Sequence, residues 1–223
     1  MLRSVSLAAL LTAALLSAAA PKPKPLFNGK DLNGWSRLGR HPDSPRDLPP
    51  GFIVKNGQLV TNPSVSEDDL WYTREKIGNA TLRVVFKVDS ERANSGIFIR
   101  IPEAPQSEDD AINKGIEVQI DQGDDDWHCT GVLYSMTKAK ARPYRPIGEW
   151  NTMEIAMRGP RTTVKLNGVE VTDYDGVSPV PEKQKSYEPD RGPRPDTGYI
   201  AVQHHSGKGS VTFKEIVVVA NSK

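Results

Sequence analysis

From residue 81 to residue 88 the chain alternates: Leu82, Val84, Phe86 and Val88 fall on one side of an extended backbone, and Thr81, Arg83 and Lys87 on the other. That period belongs to a half-buried antiparallel strand. Shorter apolar runs bounded by turn residues recur at 96–101, 115–121, 131–136, 152–158, 198–204 and 210–219. Two hairpins are almost explicit: residues 52–54 and 58–60 flank Asn56-Gly57, and residues 164–166 and 169–171 flank Asn167-Gly168. Asn-Gly supplies the positive φ angles that a tight hairpin turn needs. Beyond residue 25, apolar residues nowhere recur at three-to-four spacing for more than two helical turns,. The pattern predicts an all-β fold, a two-sheet antiparallel β-sandwich of the jelly-roll kind. Residues 39–50 and 178–197 break it, being rich in proline and charge, and the second stretch is long enough to be either a functional loop or a disordered one,.

Residues 115–121 carry the most information. Ile116, Val118 and Ile120 point to one face of a strand and Glu117, Gln119 and Asp121 to the other,. A solvated sheet face usually mixes lysine, threonine and glutamate; acid, amide and acid at three successive outward positions predict a binding face instead. In 96–101, Phe98 and Arg100 share a face opposite Ile97, Ile99 and Ile101, and near the C-terminus Tyr199, Gln203 and His205 oppose Ile200 and Val202. Such a surface suits a sugar, because planar bidentate groups grip vicinal hydroxyls and aromatic rings cover the C–H face of a pyranose. Trp71, Tyr72, Trp127 and Tyr134 are the rings available, each of which has a place in the core or at a rim as its plain alternative.

The N-terminus changes the picture of where this happens. Arg3 precedes an apolar run from residue 7 to residue 16 and then Ser17, Ala18, Ala19 and Ala20, the order of a secretory signal peptide. We expect residues 1–19 to be the signal, 20–25 a proline- and lysine-rich tether and 26–223 a single β-sandwich domain, exported to the periplasm or medium,. The apolar run falls short of the ~20 residues that span a bilayer, and no later segment reaches that length, so no membrane association is expected after cleavage. With Arg3 removed, 28 basic residues face 28 acidic ones, which leaves no long-range field for a polyanion and argues against a nucleic-acid partner,. Cys129 is the single cysteine, so no internal disulfide can form and a buried thiol is expected,.

In order along almost the whole mature chain, several segments resemble the 3-keto-disaccharide hydrolase family, formerly a domain of unknown function, with a concanavalin-like or laminin G-like jelly roll. They are Leu26-Phe27-Asn28-Gly29-Lys30-Asp31-Leu32-Asn33-Gly34-Trp35, Asn94-Ser95-Gly96-Ile97-Phe98-Ile99-Arg100 and Gly115-Ile116-Glu117-Val118-Gln119-Ile120-Asp121, followed by Thr130-Gly131-Val132-Leu133-Tyr134, Gly148-Glu149-Trp150-Asn151, Asn167-Gly168 and Gly198-Tyr199-Ile200-Ala201-Val202-Gln203. Two departures stand out. His204-His205-Ser206-Gly207 replaces an Asp-His-Gly, and Phe213-Lys214-Glu215-Ile216 replaces a Phe-Arg-Asn-Ile, so a pocket built around that arginine would be altered.

The resemblance implies chemistry unlike ordinary glycoside hydrolysis, whose two flanking carboxylates are not evident here. A sugar oxidised at C3 has an acidified C2 proton: a base removes it, the aglycone leaves C1 by elimination, and water adds back to the enone. That route needs a base, a group for the developing enolate and an acid for the leaving oxygen. The candidates are Glu117 or His205 as base, Arg100 at the enolate, and Asp121 or the other of the first pair as acid, with Asn94, Gln119, Gln203, Tyr134 and Trp127 binding substrate. Arg100 has a structural role beside Glu117 as its alternative. No cofactor is called for by any motif. Asp124-Asp125-Asp126 with His128 and Cys129 offers ligand types for a divalent metal ion, which would suit a ketone, but the spacing matches no dense metal motif and reads as a solvated loop,. A silent carbohydrate-binding or adhesion module on the same sandwich, and a conventional glycosidase with a second carboxylate facing Glu117, remain the competing functions. The sequence leaves the oligomeric state open. Mass spectrometry of an exported fraction should find a chain beginning at or next to Ala20; only full-length cytoplasmic protein would contradict export,.

Overall fold

The computed structural model describes residues 23–39 and 49–220. The expected signal segment, the start of the tether and most of 39–50 lie outside these residues. In chain order the strands are β1 (Lys24–Pro25), β2 (Trp35–Gly39), β3 (Phe52–Lys55), β4 (Gln58–Thr61), β5 (Asp68–Tyr72), β6 (Ile77–Gly78), β7 (Ala80–Val88) and β8 (Asn94–Ile101). A short helix, α1 (Glu108–Lys114), precedes β9 (Ile116–Asp121), β10 (Asn151–Arg158), β11 (Arg161–Leu166), β12 (Val169–Tyr174), β13 (Thr197–Val202) and β14 (Val211–Ala220). All strand pairs are antiparallel and form two sheets, as the alternation predicts. One runs β12-β11-β10-β7-β14-β4-β3 with β1 on β14; the other runs β2-β5-β13-β8-β9 with β6 on β13.

The core lies between the sheets. Leu82, Val84 and Phe86 of β7 and Met153 and Ile155 of β10 meet Ile97 and Ile99 of β8 and Ile116, Val118 and Ile120 of β9. Each such side chain, taken fully from water, contributes ~1.5–3 kcal/mol, which is why the period-2 pattern alone dictates both sheets. Both hairpins form where Asn-Gly stands, with φ of 52° and 77° at Asn56 and Gly57 and 50° and 83° at Asn167 and Gly168. Cys129 is buried, as expected.

Four local expectations need correction. Lys24 and Pro25 pair with Val218 and Val217, so the sheet begins inside the expected tether; an extended Lys-Pro unit can serve an edge, where a missing N–H costs nothing,. Residues 131–136 make no strand beyond an isolated bridge between Val118 and Leu133, because Gly131 (φ 92°) and Ser135 (φ 54°) adopt left-handed conformations that interrupt an extended chain. Helix α1 was not expected. Its signal is nonetheless present: Ser107 caps it, with Oγ accepting the Asp110 N–H at 3.4 Å, and three acids fill its first turn,. Residues 178–196 lack regular structure yet are tied down, Arg194 donating to Asn113 O (3.0 Å) and Gly115 O (3.1 Å) and Arg191 to Ser135 Oγ (3.1 Å), while Arg191 also braces the segment internally through Pro181 O (2.6 Å) and Pro189 O (2.6 Å).

The fourth correction concerns Arg100, which alternation assigned to the same face as Phe98. The β8–β13 register shifts between Tyr199 and Ala201, and Arg100 has φ 58°. This bulge inverts the phase. Ile101 joins Phe98, Leu38, Ala201 and Ala111 on the outer face beneath α1, while Arg100, 1 % exposed, turns away from Glu117. Its guanidinium donates to Thr162 Oγ1 (3.2 Å), Gly159 O (2.8 Å), Arg161 O (3.0 Å) and Pro195 O (2.9 Å), joining the two sheets to the strap of residues 178–196. Gly198 makes the bulge possible, since a Cβ there would stand 2.4 Å from the Arg100 carbonyl carbon. Arg100→Met would remove the donor shared by the Gly159, Arg161 and Pro195 carbonyls and the buried Thr162 hydroxyl. We expect a loss of ~3–4 kcal/mol in urea unfolding, and Arg100→Lys, which lacks the planar fork, should recover less than half of it.

Candidate active site

A cavity of about 370 Å³ opens over the outer, polar face of β9. Glu117, Gln119 and Asp121 form its floor, Asn94 of β8 and Gln203 just after β13 extend it sideways, and His205 and Tyr134 stand on its walls. Seven of the nine residues that the sequence singles out therefore meet in one place. Arg100 does not, for the reason given above. Trp127 lines a separate cavity next to this one. Of the other rings considered, Tyr72 is in the core against Trp35, with centroids 5.3 Å apart, and Trp71 packs edge-on against Tyr199 at 5.2 Å; neither lines the cavity.

Glu117 is 5 % exposed. It fits only because Gly96, on the neighbouring strand, has no side chain: a Cβ there would lie 2.1 Å from Glu117 Oε1. Burial first, and then the nearby Glu108 carboxylate, push the Glu117 carboxyl up to about 8,. Its Oε1 has no hydrogen-bond partner within the protein, nor have Asn94 Oδ1 and Gln203 Oε1. Three buried acceptor atoms of residues that line a sugar-sized cavity are thus without a partner in the protein,. Asp121 is also raised, chiefly by burial and against the Gly123 N–H that it accepts at 2.8 Å, and it receives the Asn94 amide at 3.1 Å.

Several site residues escaped the sequence reading. Glu108 comes from α1 and could have been found only through the Ser107-x-x-Asp110 cap signal. Asp69 of β5, fully buried beside the cavity, accepts the His204 N–H at 2.6 Å and leaves Oδ2 unpartnered; burial and the charge of Glu108 hold its carboxyl well above the usual range. Its signal was the Asp69/Trp71 alternation, which sets it on the outer face. Glu67 accepts the Ser206 N–H (2.7 Å) and Oγ–H (3.0 Å), and its Oε1 lies 3.6 Å from His205 Nδ1. Because a carbonyl can only accept, the 3.2 Å contact of His205 Nδ1 with Ser206 O puts the proton on Nδ1 and leaves Nε2 as the acceptor in the neutral ring,. Lys208 is the lysine or arginine that lines the cavity among the described residues, and Tyr187 of the strap closes one side.

The two departures from the family pattern resolve differently. His204 is fully buried, with Nε2 donating to Asn62 O at 2.7 Å, and burial lowers its pKa, so it acts in packing next to the site. Lys214 lies over the ring of Trp150, 5.6 Å from its centroid, outside the cavity lining, so this substitution leaves the pocket untouched. At the acidic loop, Asp124, Asp125 and His128 each place one ligand-type atom within 4.8 Å of the others, an arrangement that spacing alone did not predict. Asp125 Oδ1 already accepts from the Trp127 N–H (2.7 Å) and meets His128 Nδ1 at 2.8 Å.

Known structures repeat this architecture. A candidate glycosyl hydrolase from Parabacteroides distasonis is 26 % identical with a TM-score of 0.68, the match covering 90 % of this chain and all of that one. A second candidate glycosyl hydrolase from the same organism is 21 % identical with a TM-score of 0.66, covering 88 % and 93 %. The carbohydrate-binding module CBM66 of Bacillus subtilis shares the fold at 10 % identity and a TM-score of 0.52, covering 82 % and 93 %. No curated protein sequence matches. Residues 22–219 match the profile described as the 3-keto-alpha-glucoside-1,2-lyase-like domain, and over that span the chain belongs to this family.

Proposed function

We propose that this carbohydrate-active chain is an exported enzyme that cleaves 3-keto-glycosides by elimination across C1 and C2. The observation that carries the reading is Glu117: a buried carboxyl, raised to about 8 and so protonated at neutral pH, with one oxygen unpartnered in a cavity that also holds an imidazole. A carboxylic acid kept neutral by its surroundings is a proton donor in waiting.

The roles follow. His205 Nε2 removes the C2 proton, Glu67 and Ser206 O holding the ring by its Nδ1 side. The C2–H electron pair moves into an enolate whose oxygen is the former C3 ketone. With Arg100 committed elsewhere, the positive charge for that oxygen falls to Lys208,. As the ketone re-forms, the C1–C2 double bond forms and the C1–O bond breaks, and its electron pair leaves on the aglycone oxygen, which takes the Glu117 proton. Asp121, also raised, stands as the alternative acid. Water adding across the double bond then gives the free 3-keto sugar. Asn94, Gln119 and Gln203 bind hydroxyls in this scheme.

A conventional glycosidase has one observation in its favour, the further carboxylates Glu67 and Glu108 in the same cavity. Incubating the protein with 3-keto-glucosides and with their unoxidised parents separates the readings: cleavage of the parents alone would displace elimination, and tight binding without turnover of either would leave a binding module.

Glu117→Gln keeps the shape but cannot give a proton. Turnover of an alkyl 3-keto-glucoside should fall ~10²–10⁴-fold, and much less for a nitrophenyl 3-keto-glucoside, whose leaving group needs no acid. Equal losses on both substrates would exclude Glu117 as the acid.

The same substitution makes a stability prediction. Between the ordinary carboxyl value of 4.5 and about 8 the folded protein holds a proton that the unfolded chain has lost. Stability is therefore fullest below the lower value and falls as pH rises through the window, by at most ~1.4 kcal/mol per pH unit. Glu117→Gln should melt higher than the parent protein near pH ~9 and converge with it towards pH ~5; a gap that widens on acidification would be inconsistent with a buried, protonated Glu117.

A further inference from the structure

We propose that the second cavity, beside the first, is a binding site for a planar aromatic aglycone, resting on the reading that the first cavity takes the oxidised sugar ring. This cavity has a volume of about 270 Å³, near the lower end of small-molecule sites at ~300 Å³, and Trp127, His128, Ser135, Pro181, Gln184 and Glu188 are among the residues that line it,.

The two cavities share a wall. Tyr134 and Tyr187 line the first, and the residues that follow them, Ser135 and Glu188, line the second. The rings of Tyr134 and His128, one from each cavity, pack with centroids 4.8 Å apart. A single layer of side chains thus separates the first cavity from the one that Trp127 lines.

The lining selects against a second sugar. Glu188 is buried and its Oε2 already accepts the Gln184 N–H (2.9 Å) and an Arg191 N–H (2.9 Å). Ser135 Oγ accepts from Arg191 at 3.1 Å, and His128 Nδ1 is paired with Asp125 at 2.8 Å. The Pro181 carbonyl is taken by Arg191 at 2.6 Å. A polyol entering here would lose water without gaining these partners, which costs free energy for each hydroxyl. Glu182 also lines this cavity, yet most of the surface facing it is apolar, and the indole of Trp127 and the ring of Pro181 offer a flat apolar group what it needs,.

The test uses the full chain and two substrates, naphthyl 3-keto-glucoside and methyl 3-keto-glucoside. Trp127→Ala should lower kcat/KM ~10–100-fold on the naphthyl compound and leave the methyl compound within about twofold. Should Trp127→Ala lose its fold by circular dichroism, Trp127→Leu, which keeps apolar volume without a ring face, carries the same comparison. Equal losses on both substrates, or no loss on either, would overturn the proposal. A calorimetric titration with unoxidised naphthyl glucoside keeps the two readings apart. If neither keto-glucoside is turned over but Trp127→Ala weakens this binding about tenfold, the elimination reading fails and the aromatic site stands. If turnover occurs without discrimination and the binding is unchanged, the aromatic site fails and the elimination reading stands.

Discussion

At Arg100 the backbone of β8 turns left-handed for one residue, and the arrangement on both sides of the six-stranded sheet depends on that turn. A left-handed non-glycine residue costs roughly 1–2 kcal/mol. Here four hydrogen bonds from one guanidinium offset it. Without the inversion, Ile101 would face the core and a charged side chain would stand on the outer face, where α1 now packs. With it, the outer face becomes apolar just far enough to seat α1, and α1 in turn delivers Glu108 to the cavity. A charge buried between sheets thus sets up a pair of carboxyls on the opposite face.

The carboxyl groups around the cavity show why a site can oppose the fold that carries it. Asp69, Glu108 and Glu117 are each almost fully buried, and the charge of Glu108 acts on both of the others. Keeping Glu117 protonated avoids the worst of the repulsion, at the expense of stability at higher pH. A hydrophobic residue in its place would pack without this conflict. The carboxyl stands where only a glycine at position 96 leaves room for it, so two neighbouring strands are both committed to holding it.

How much of this was legible depends on the length over which a period holds. The hairpins, both sheets and the Glu117-Gln119-Asp121 floor follow from alternation over five to nine residues and from Asn-Gly turns, all local signals. Gln203 and His205 follow by extending the phase of β13. Arg100 was misplaced because a single bulged residue reverses phase, and nothing in the residue types of Ile99-Arg100-Ile101 announces it. Asp69 and Glu67 could not be joined to the site from sequence, because β5 and β13 meet through Leu70 and Val202, far apart along the chain. Tyr187 and the true place of Trp127 belong to segments without any period.

The strap of residues 178–196 is held in a particular way. Arg194 fastens it to the main-chain carbonyls of Asn113 and Gly115 and Arg191 to the carbonyl and hydroxyl of Ser135, while the Pro181 and Pro189 carbonyls that Arg191 also holds brace the strap from within. Every amino acid carries such a carbonyl, so the attachment survives replacement of almost any side chain it touches. Two arginines therefore act as a fixed mount for an exchangeable panel. Variation along the strap can remodel the walls of both cavities while the sheets behind them remain as they are, a change of shape that passes through neither the core nor the buried carboxyls.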